Sequence, residues 1–386
     1  AAGKNFFAYV ATNTPHDPFH DVPPELLEHY RAKAEELAGL VVGQRSAEQL
    51  AQEVDSLTRI AAMITNIDQN VGKVFAKLDQ LGITEDTLVL FLVDNGPNTR
   101  RYVGQRRGMK GEVHDGGIRS PLWLHWPARF AAGLECDQLA AHIDLTPTIL
   151  DACGVPCPAN VHFDGISLLP LLEGRAATGT ERTIVIQSHR GDEPVRYHHF
   201  MIRDQRWKLL HSTGFGRERF EGDPQFELYD MISDPQESRN LVAQHPDVVE
   251  RLKQAYDAWF DDVSSTRPDN YAPPRIWIGT PHENPTVLTR QDWRQGTWAP
   301  RSIGHWELHV ADAGTYDILL DFDPEAEPAT ATLQIGAAQR QASVAASAST
   351  CAFHALQLPA GDTRLEAWLT HPGAARGVYQ VTVTKH

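Results

Sequence analysis

The chain has 386 residues, 41% hydrophobic and 22% charged, with a formal net charge of −15. That is ordinary for a globular protein of two domains, and the acidity argues against nucleic acid, whose phosphates are held by clustered Lys and Arg. No apolar run approaches the roughly 20 residues of a membrane span, and the four cysteines are too few for a disulfide scaffold.

The chain opens AAGKNFFAYVAT, with no initiator Met and no charged-then-apolar secretion signal. Phe6 to Thr12 reads as a buried strand. A domain rarely opens on a central strand, so the sequence is expected to start in the middle of a domain and to be truncated. A long helix follows. Leu50, Val54, Leu57, Ala61, Ile64, Ile67, Val71, Val74, Leu78 and Leu81 recur at three- and four-residue steps as one stripe. Ser46 with Gln49 makes its capping box and Gly82 its stop. Then come a strand at Thr87 to Val93, the turn Asp94-Asn95-Gly96-Pro97, and a strand at Pro121 to Trp126. A helix at Leu145 to Cys153 is closed by Gly154, with Asp144 and Thr146 as expected caps. The alternation implies an α/β domain with a largely parallel sheet. Cys153 and Cys157, four apart, read as packing residues or a surface disulfide.

Past Gly174 short strands at Thr183 to Gln187, His199 to Ile202, Trp207 to His211 and Glu227 to Tyr229 suggest a small antiparallel sheet. A helix from about Asp247 to Phe260 packs on it. The expected domains are therefore a partial α/β core over 1–174 and an antiparallel subdomain over 175–263. An irregular linker over 264–300 and a β-sandwich over 301–386 follow, the last from strands alternating at a two-residue period. Tyr316, Ile318, Leu320 and Phe322 share one face there.

Two polar clusters lie beyond the carboxyl ends of apolar strands, where α/β sheets bind ligands: Thr12 to His16, and Asp94-Asn95-Gly96. Asp94 and Asn95 offer hard oxygens suited to Ca²⁺ or Mg²⁺, although an ordinary β-turn has the same composition. The segment from Arg106 to Arg119 mixes glycines with basic residues. Its Lys110 is a point charge suited to an oxyanion, and a solvated basic loop is the competing reading.

These residues resemble the type I sulfatases of the alkaline-phosphatase superfamily. The segments that carry the resemblance are FFAYVATNTPHDPF, ITNIDQNVGKVFAKLDQLGITEDTLVLFLVDNGPN, MKGEVHDGGIRSPLWLHWP, HIDLTPTILDACGV, DGISLLPLL and FELYDMISDPQESRNL, in family order over about residues 1–263. The resemblance implies an alkaline-phosphatase-like sulfatase core and hydrolysis of aryl or carbohydrate sulfate esters. It implies that Asp94 and Asn95 are ligands of a divalent cation, normally calcium. It makes His16 the group that protonates the leaving alcohol and Lys110 the group that binds a sulfate oxygen. His114, and His189 with Arg190, are expected near the substrate. The family's nucleophile is a formylglycine made within C/S-x-P-S-R. None of Cys136, Cys153, Cys157 and Cys351 is followed by x-Pro-Ser-Arg, so the nucleophile and the paired aspartates of the cation site are expected upstream, and this segment alone is expected to be inactive. A bacterial origin and a periplasmic or extracellular location are expected from relatives.

Two rivals remain open at this point. One is a phosphodiesterase or phosphonate monoester hydrolase of the same superfamily. The other is a non-catalytic carbohydrate-binding protein using Trp293, Trp298 and Trp306 at the sandwich entrance.

Overall fold

The computed structural model describes residues 5–175, 181–188, 190–266, 271–294, 302–324, 326–371 and 374–386. The chain divides into two units, Ala1–Arg267 and Pro268–His386, taken in turn below.

In the first unit α1 (Pro24–Arg31) and α2 (Ala34–Ala38) pack on α3 (Ala47–Leu81). The start of α3 is set chemically. Ser46 Oγ accepts the Gln49 N–H and Gln49 Oε1 accepts the Ser46 N–H, at 3.2 and 3.0 Å. Gly82 at φ +64° closes the other end. The apolar stripe is only partly used. Leu57, Ile60, Ala62, Met63 and Leu78 are buried, whereas Leu50, Ile64, Val74 and Leu81 are exposed. A helix of 35 residues is about 50 Å long, and two short helices cover only part of it.

The opening run departs from expectation. Phe6 to Thr12 forms no strand, and Phe7 is 76% exposed. A strand needs a neighbour for its N–H and C=O groups, and no strand among the described residues pairs with it. The parallel sheet is likewise not found among them. β1 (Val89–Leu92) pairs antiparallel with β2 (Leu122–His125). Between them lies α4 (Asp115–Ile118), and after them α5 (Leu145–Ala152) and α6 (Leu169–Leu172). Asp144 does not cap α5 with its side chain. Its carboxylate instead accepts the N–H groups of Ala141 and Ile166 and pairs with Arg182 at 2.8 Å. Thr146 is exposed. All four cysteines are free, and Cys153 and Cys157 are exposed, so they neither pair nor pack.

The antiparallel subdomain forms as its alternation predicts. Its order is β3 (Ile184–Gln187), β4 (Phe200–Arg203), β5 (Trp207–His211), β6 (Glu227–Asp230). One face, with Phe200, Ile202, Leu209 and Leu228, packs on Leu252, Tyr256 and Phe260 of α7 (Pro246–Ser264). The other face, with Ile184, Met201, Leu210 and Tyr229, packs on Val113 and Ile118. Successive strand residues point to opposite sides, so Lys208 shares the second face with Leu210. That face carries the loop described below.

Among its described residues the second unit has two sheets. One orders Thr350–Leu358, Gly314–Asp321, Gln380–Lys385 and Thr286–Thr289. The other orders Ala338–Val344, Ala329–Ile335, Gly361–His371, His305–Val310 and Ile276–Ile278, with Ala374–Gly377 also on Gly361–His371. Tyr316, Ile318, Leu320 and Phe322 join Trp306, Leu308, Leu333 and Leu365 in one core. Two of these strands, Ile276–Ile278 and Thr286–Thr289, fall within 264–300, expected to be irregular linker. Three- and four-residue strands among Pro and Asn show too little alternation to be read. Trp306 is fully buried and donates its Nε1–H to Thr289 O at 2.7 Å, with Trp293 packed on it. Burial removes Trp306 as a sugar platform, Trp293 is partly buried against the same core, and Trp298 lies outside the described residues.

Candidate functional site

Backbone contacts alone bring the two glycine-bearing segments together. The turn after β1 lies against residues 107–117, with Gly96 N–H donating to Gly117 O and Lys110 N–H to Pro97 O, both at 2.8 Å. Gly116 N–H donates to Arg107 O at 2.7 Å. A Cβ on Gly96 would stand 1.9 Å from Gly116 O, and one on Gly117 would stand 2.3 Å from Glu112 O. The approach is possible only without side chains.

This packing sets Lys110 where its ammonium meets His16. The two residues are 94 apart in sequence, and Nζ lies 3.1 Å from His16 Nε2. The other ring nitrogen, Nδ1, is 2.7 Å from Asp17 O and 3.0 Å from Asp17 Oδ1. An ammonium can only donate, so Nε2 accepts from Lys110 and Nδ1–H donates to Asp17. His16 thus presents its lone pair, and Lys110 its charge, at one exposed spot.

Asp94 and Asn95 sit on the adjoining turn. Asp94 Oδ1 accepts the Asn95 N–H at 2.9 Å, and Asn95 Nδ2 donates to Gly96 O at 2.8 Å, which leaves Asn95 Oδ1 available. As donors these oxygens suit calcium or magnesium. They are too few for its six to eight ligands, and no group of three or more His, Cys, Asp or Glu that could hold a metal occurs among the described residues. The residues present do not make a complete cation site.

Behind Lys110 the loop is clamped by groups that sequence reasoning missed. Lys208, fully buried on β5, pairs with Asp115 Oδ1 at 2.8 Å and Glu237 Oε1 at 2.7 Å. Glu237 Oε2 accepts the Asp115 N–H at 2.8 Å, and Arg203 lies 3.7 Å from Asp115 Oδ2. Burial would raise the Asp115 pKa, but Lys208 and then Arg203 outweigh it and hold the carboxyl below its usual range. His199 supports the same loop. Its Nε2–H donates to Gly111 O at 2.7 Å, and its Nδ1 accepts the Gly214 N–H at 2.8 Å. Burial pushes its pKa down, against the Gly111 bond, which suits this neutral form. One signal was available in the sequence: a lysine inside the apolar strand WKLLH must find a partner if its face is covered.

His114 is corrected from pocket residue to packed residue. It is 2% exposed, and its ring nitrogens lie 4.0 Å from Glu112 Oε2 and from Glu227 Oε2. The His114 ring, against the effect of burial and together with the Tyr229 hydroxyl and Arg107, holds Glu227 down at about 2. Arg190 is exposed and does stand near the loop. Its guanidinium lies 5.5 Å from the Phe215 ring centroid, and that ring sits 2.4 Å from where a Cβ on Gly111 would be. His189 lies outside the described residues.

Comparison with known proteins gives a consistent picture. The sulfatase family model matches residues 1–155, and the model for the C-terminal region of N-sulphoglucosamine sulphohydrolase matches residues 109–259. Arylsulfatase A of Homo sapiens is 32% identical over 213 residues, covering 50% of this chain and 41% of the relative. N-acetylglucosamine-6-O-sulfatase of Bacteroides thetaiotaomicron is 27% identical over 184 residues, covering 47% of this chain and 31% of the relative. The chain thus spans less than half the length of these curated relatives. The crystal structure of Ps i-CgsB superposes with a TM-score of 0.53 at 20% identity, over 67% of this chain and 51% of that one. At that identity the likeness is one of fold.

Proposed function

Because residues 1–155 match the sulfatase family model and residues 109–259 that of the C-terminal region of N-sulphoglucosamine sulphohydrolase, we propose that the protein hydrolyses sulfate esters of an aryl or carbohydrate substrate. The observation that carries the reading is the contact of Lys110 Nζ with His16 Nε2. A sulfuryl group entering there would draw Lys110 onto one of its oxygens. That transfer frees the His16 Nε2 lone pair, which can then take up a proton from solvent and pass it to the departing alcohol oxygen. Asp17, holding Nδ1, keeps the ring oriented for that exchange. Arg190, over Phe215, is proposed to meet the remainder of the substrate.

Asp94 and Asn95 are proposed to give two oxygens to a Ca²⁺ or Mg²⁺ ion, whose remaining ligands the described residues do not supply. Such an ion would offset charge on the sulfuryl oxygens. The family's formylglycine nucleophile has no counterpart motif in this chain, so no step is assigned to it. The names of the relatives, arylsulfatase A and N-acetylglucosamine-6-O-sulfatase, support both substrate classes. The test is sulfate release from 4-nitrophenyl sulfate and from sulfated monosaccharides by the protein expressed from its own gene. Lys110→Ala and His16→Ala should each lower kcat/KM by at least about a hundredfold. Near-parental rates in both would remove these residues from the mechanism.

A further inference from the structure

The reach of Lys110 is set by a short turn. Within residues 109–112 the Lys110 N–H donates to Pro97 O at 2.8 Å and the Glu112 N–H to Met109 O at 2.9 Å. A third bond ties the turn to the antiparallel subdomain. His199 Nε2–H reaches Gly111 O, the carbonyl next along from Lys110, at 2.7 Å. Gly111 stands at φ +84° with the Phe215 ring against it, where a side chain has no room. His199 is itself held from every side. It is 1% exposed, its N–H donates to Thr213 Oγ1 at 3.0 Å, and its carbonyl accepts the Ser188 N–H at 3.1 Å. It adopts φ +42°, which residues bearing a Cβ seldom do unless their surroundings compel it.

These bonds force one tautomer. Nδ1 faces the Gly214 N–H at 2.8 Å. A carbonyl only accepts and a backbone N–H only donates, so Nε2 carries the proton and Nδ1 the lone pair. A second proton would enter at Nδ1, against the Gly214 N–H. One rigid ring serves both bonds, so turning from Gly214 also takes Nε2 from Gly111. Burial is the main opponent of charge on this ring, with His198 and His114 acting the same way. The Gly111 bond and Glu112 favour charge, and the balance lies below 6.5. His198, beside it, spends its own ring nitrogens on Thr213 Oγ1 at 2.7 Å and Arg217 O at 2.9 Å.

We infer that His199 is the positioning residue of Lys110, a neutral imidazole latch that holds the lysine against His16 and lets go when charged. This rests on the reading of Lys110 as the sulfate-binding group. Anion binding then has an acid limit set by a ring that does not touch the anion.

The experiment is ring nitrogen NMR of the histidine-labelled protein expressed from its own gene, with a titration of inorganic sulfate. At neutral pH His199 should show the Nε2–H tautomer, and the Nδ1–H tautomer or a charged ring overturns the latch. Lys110→Ala identifies the His16 Nε2 signal by removing its donor. His199→Ala should move that signal most of the way to its position in Lys110→Ala. It should also weaken sulfate binding about fivefold, near the worth of one hydrogen bond. His199→Gln keeps an amide donor and acceptor but takes up no proton, so it should restore both the signal and the affinity at neutral pH. As pH falls below 6.5, the parent should lose about fivefold in sulfate affinity relative to His199→Gln, through loss of the same bond. The titrations of His16, His114, His198 and Glu112 are common to both proteins and cancel in that ratio. A parental His16 signal in His199→Ala, or a parent-to-Gln ratio constant with pH, overturns the inference. If His199→Ala does not fold, the tautomer and the Gln ratio still decide. Failure of the hydrolysis reading shows itself separately, as sulfate bound by Lys110→Ala as tightly as by the parent.

Discussion

Lys208→Met would preserve most of the buried stem on β5 and remove only its charge. Asp115 and Glu237, each 1% exposed, would then face one another without the ammonium that lies 2.8 and 2.7 Å from them. Removing one member of a buried ion pair costs about 3–5 kcal/mol. Arg203 at 3.7 Å and the Asp115 N–H on Glu237 remain, so the lower end, about 3 kcal/mol, is expected. The assay is hydrogen exchange by mass spectrometry on peptides of β4 and β5, which reads the first unit independently of the sandwich. Exchange that requires this region to open should quicken roughly a hundredfold at pH 7. The deficit has a pH signature. In the parent, against the effect of burial, Lys208 holds Asp115 below 3.8, so its stabilisation is present above 3.8 and lost as pH falls through the lowered folded value. Without Lys208 the burial that opposes ionisation of Asp115 loses its main counterweight, so Asp115 takes up a proton at higher pH and the gap between variant and parent should narrow on acidification. A loss under about 1 kcal/mol, or a gap unchanged from pH 7 down to 3.8, would refute the clamp.

Three further outcomes are expected. Gly96→Ala, whose Cβ would fall 1.9 Å from Gly116 O, should lower stability by about 1–3 kcal/mol and weaken sulfate binding at Lys110, read by thermal melting and calorimetry; a neutral substitution would mean the turn and loop part freely. Glu227 sits at about 2 against an ordinary 4.5, so its stabilisation is present above pH 4.5 and lost as pH falls towards 2. Glu227→Gln should flatten the acid-unfolding curve in that window, and a parental curve would count against the His114 and Arg107 contacts. Asp94→Ala should raise the calcium needed for sulfate release or abolish activity. An unchanged calcium dependence would return Asp94 to the role of a turn residue.

Much of this architecture is written locally in the chain. The Ser46–Gln49 box and Gly82 delimit α3 because each makes its bonds within one turn of its own end of the helix. The strands of the subdomain and sandwich show through their two-residue alternation. The strand expected at Phe6 to Thr12 was misread because an apolar run carries no statement of its partner. Lys208 was missed for a related reason: its strand is local, whereas Asp115 and Glu237 arrive through tertiary register. His16 and Lys110 were legible as chemistry only through the family resemblance. Nothing in their spacing says that they touch. His114 shows the converse error, in which a plausible chemical residue proves to be walled in by Glu112 and Glu227.

The contact of Gly96 with Gly116, and of Gly117 with Glu112, also bears on how this region can vary by descent. Every amino-acid replacement at a glycine codon adds at least a Cβ, and at these positions a Cβ meets backbone. Backbone cannot rotate away as a flexible side chain can. Change in this region would therefore meet a barrier at the glycines and little at an exposed position such as Arg190. Natural variation is expected to concentrate there, around an unchanging glycine frame.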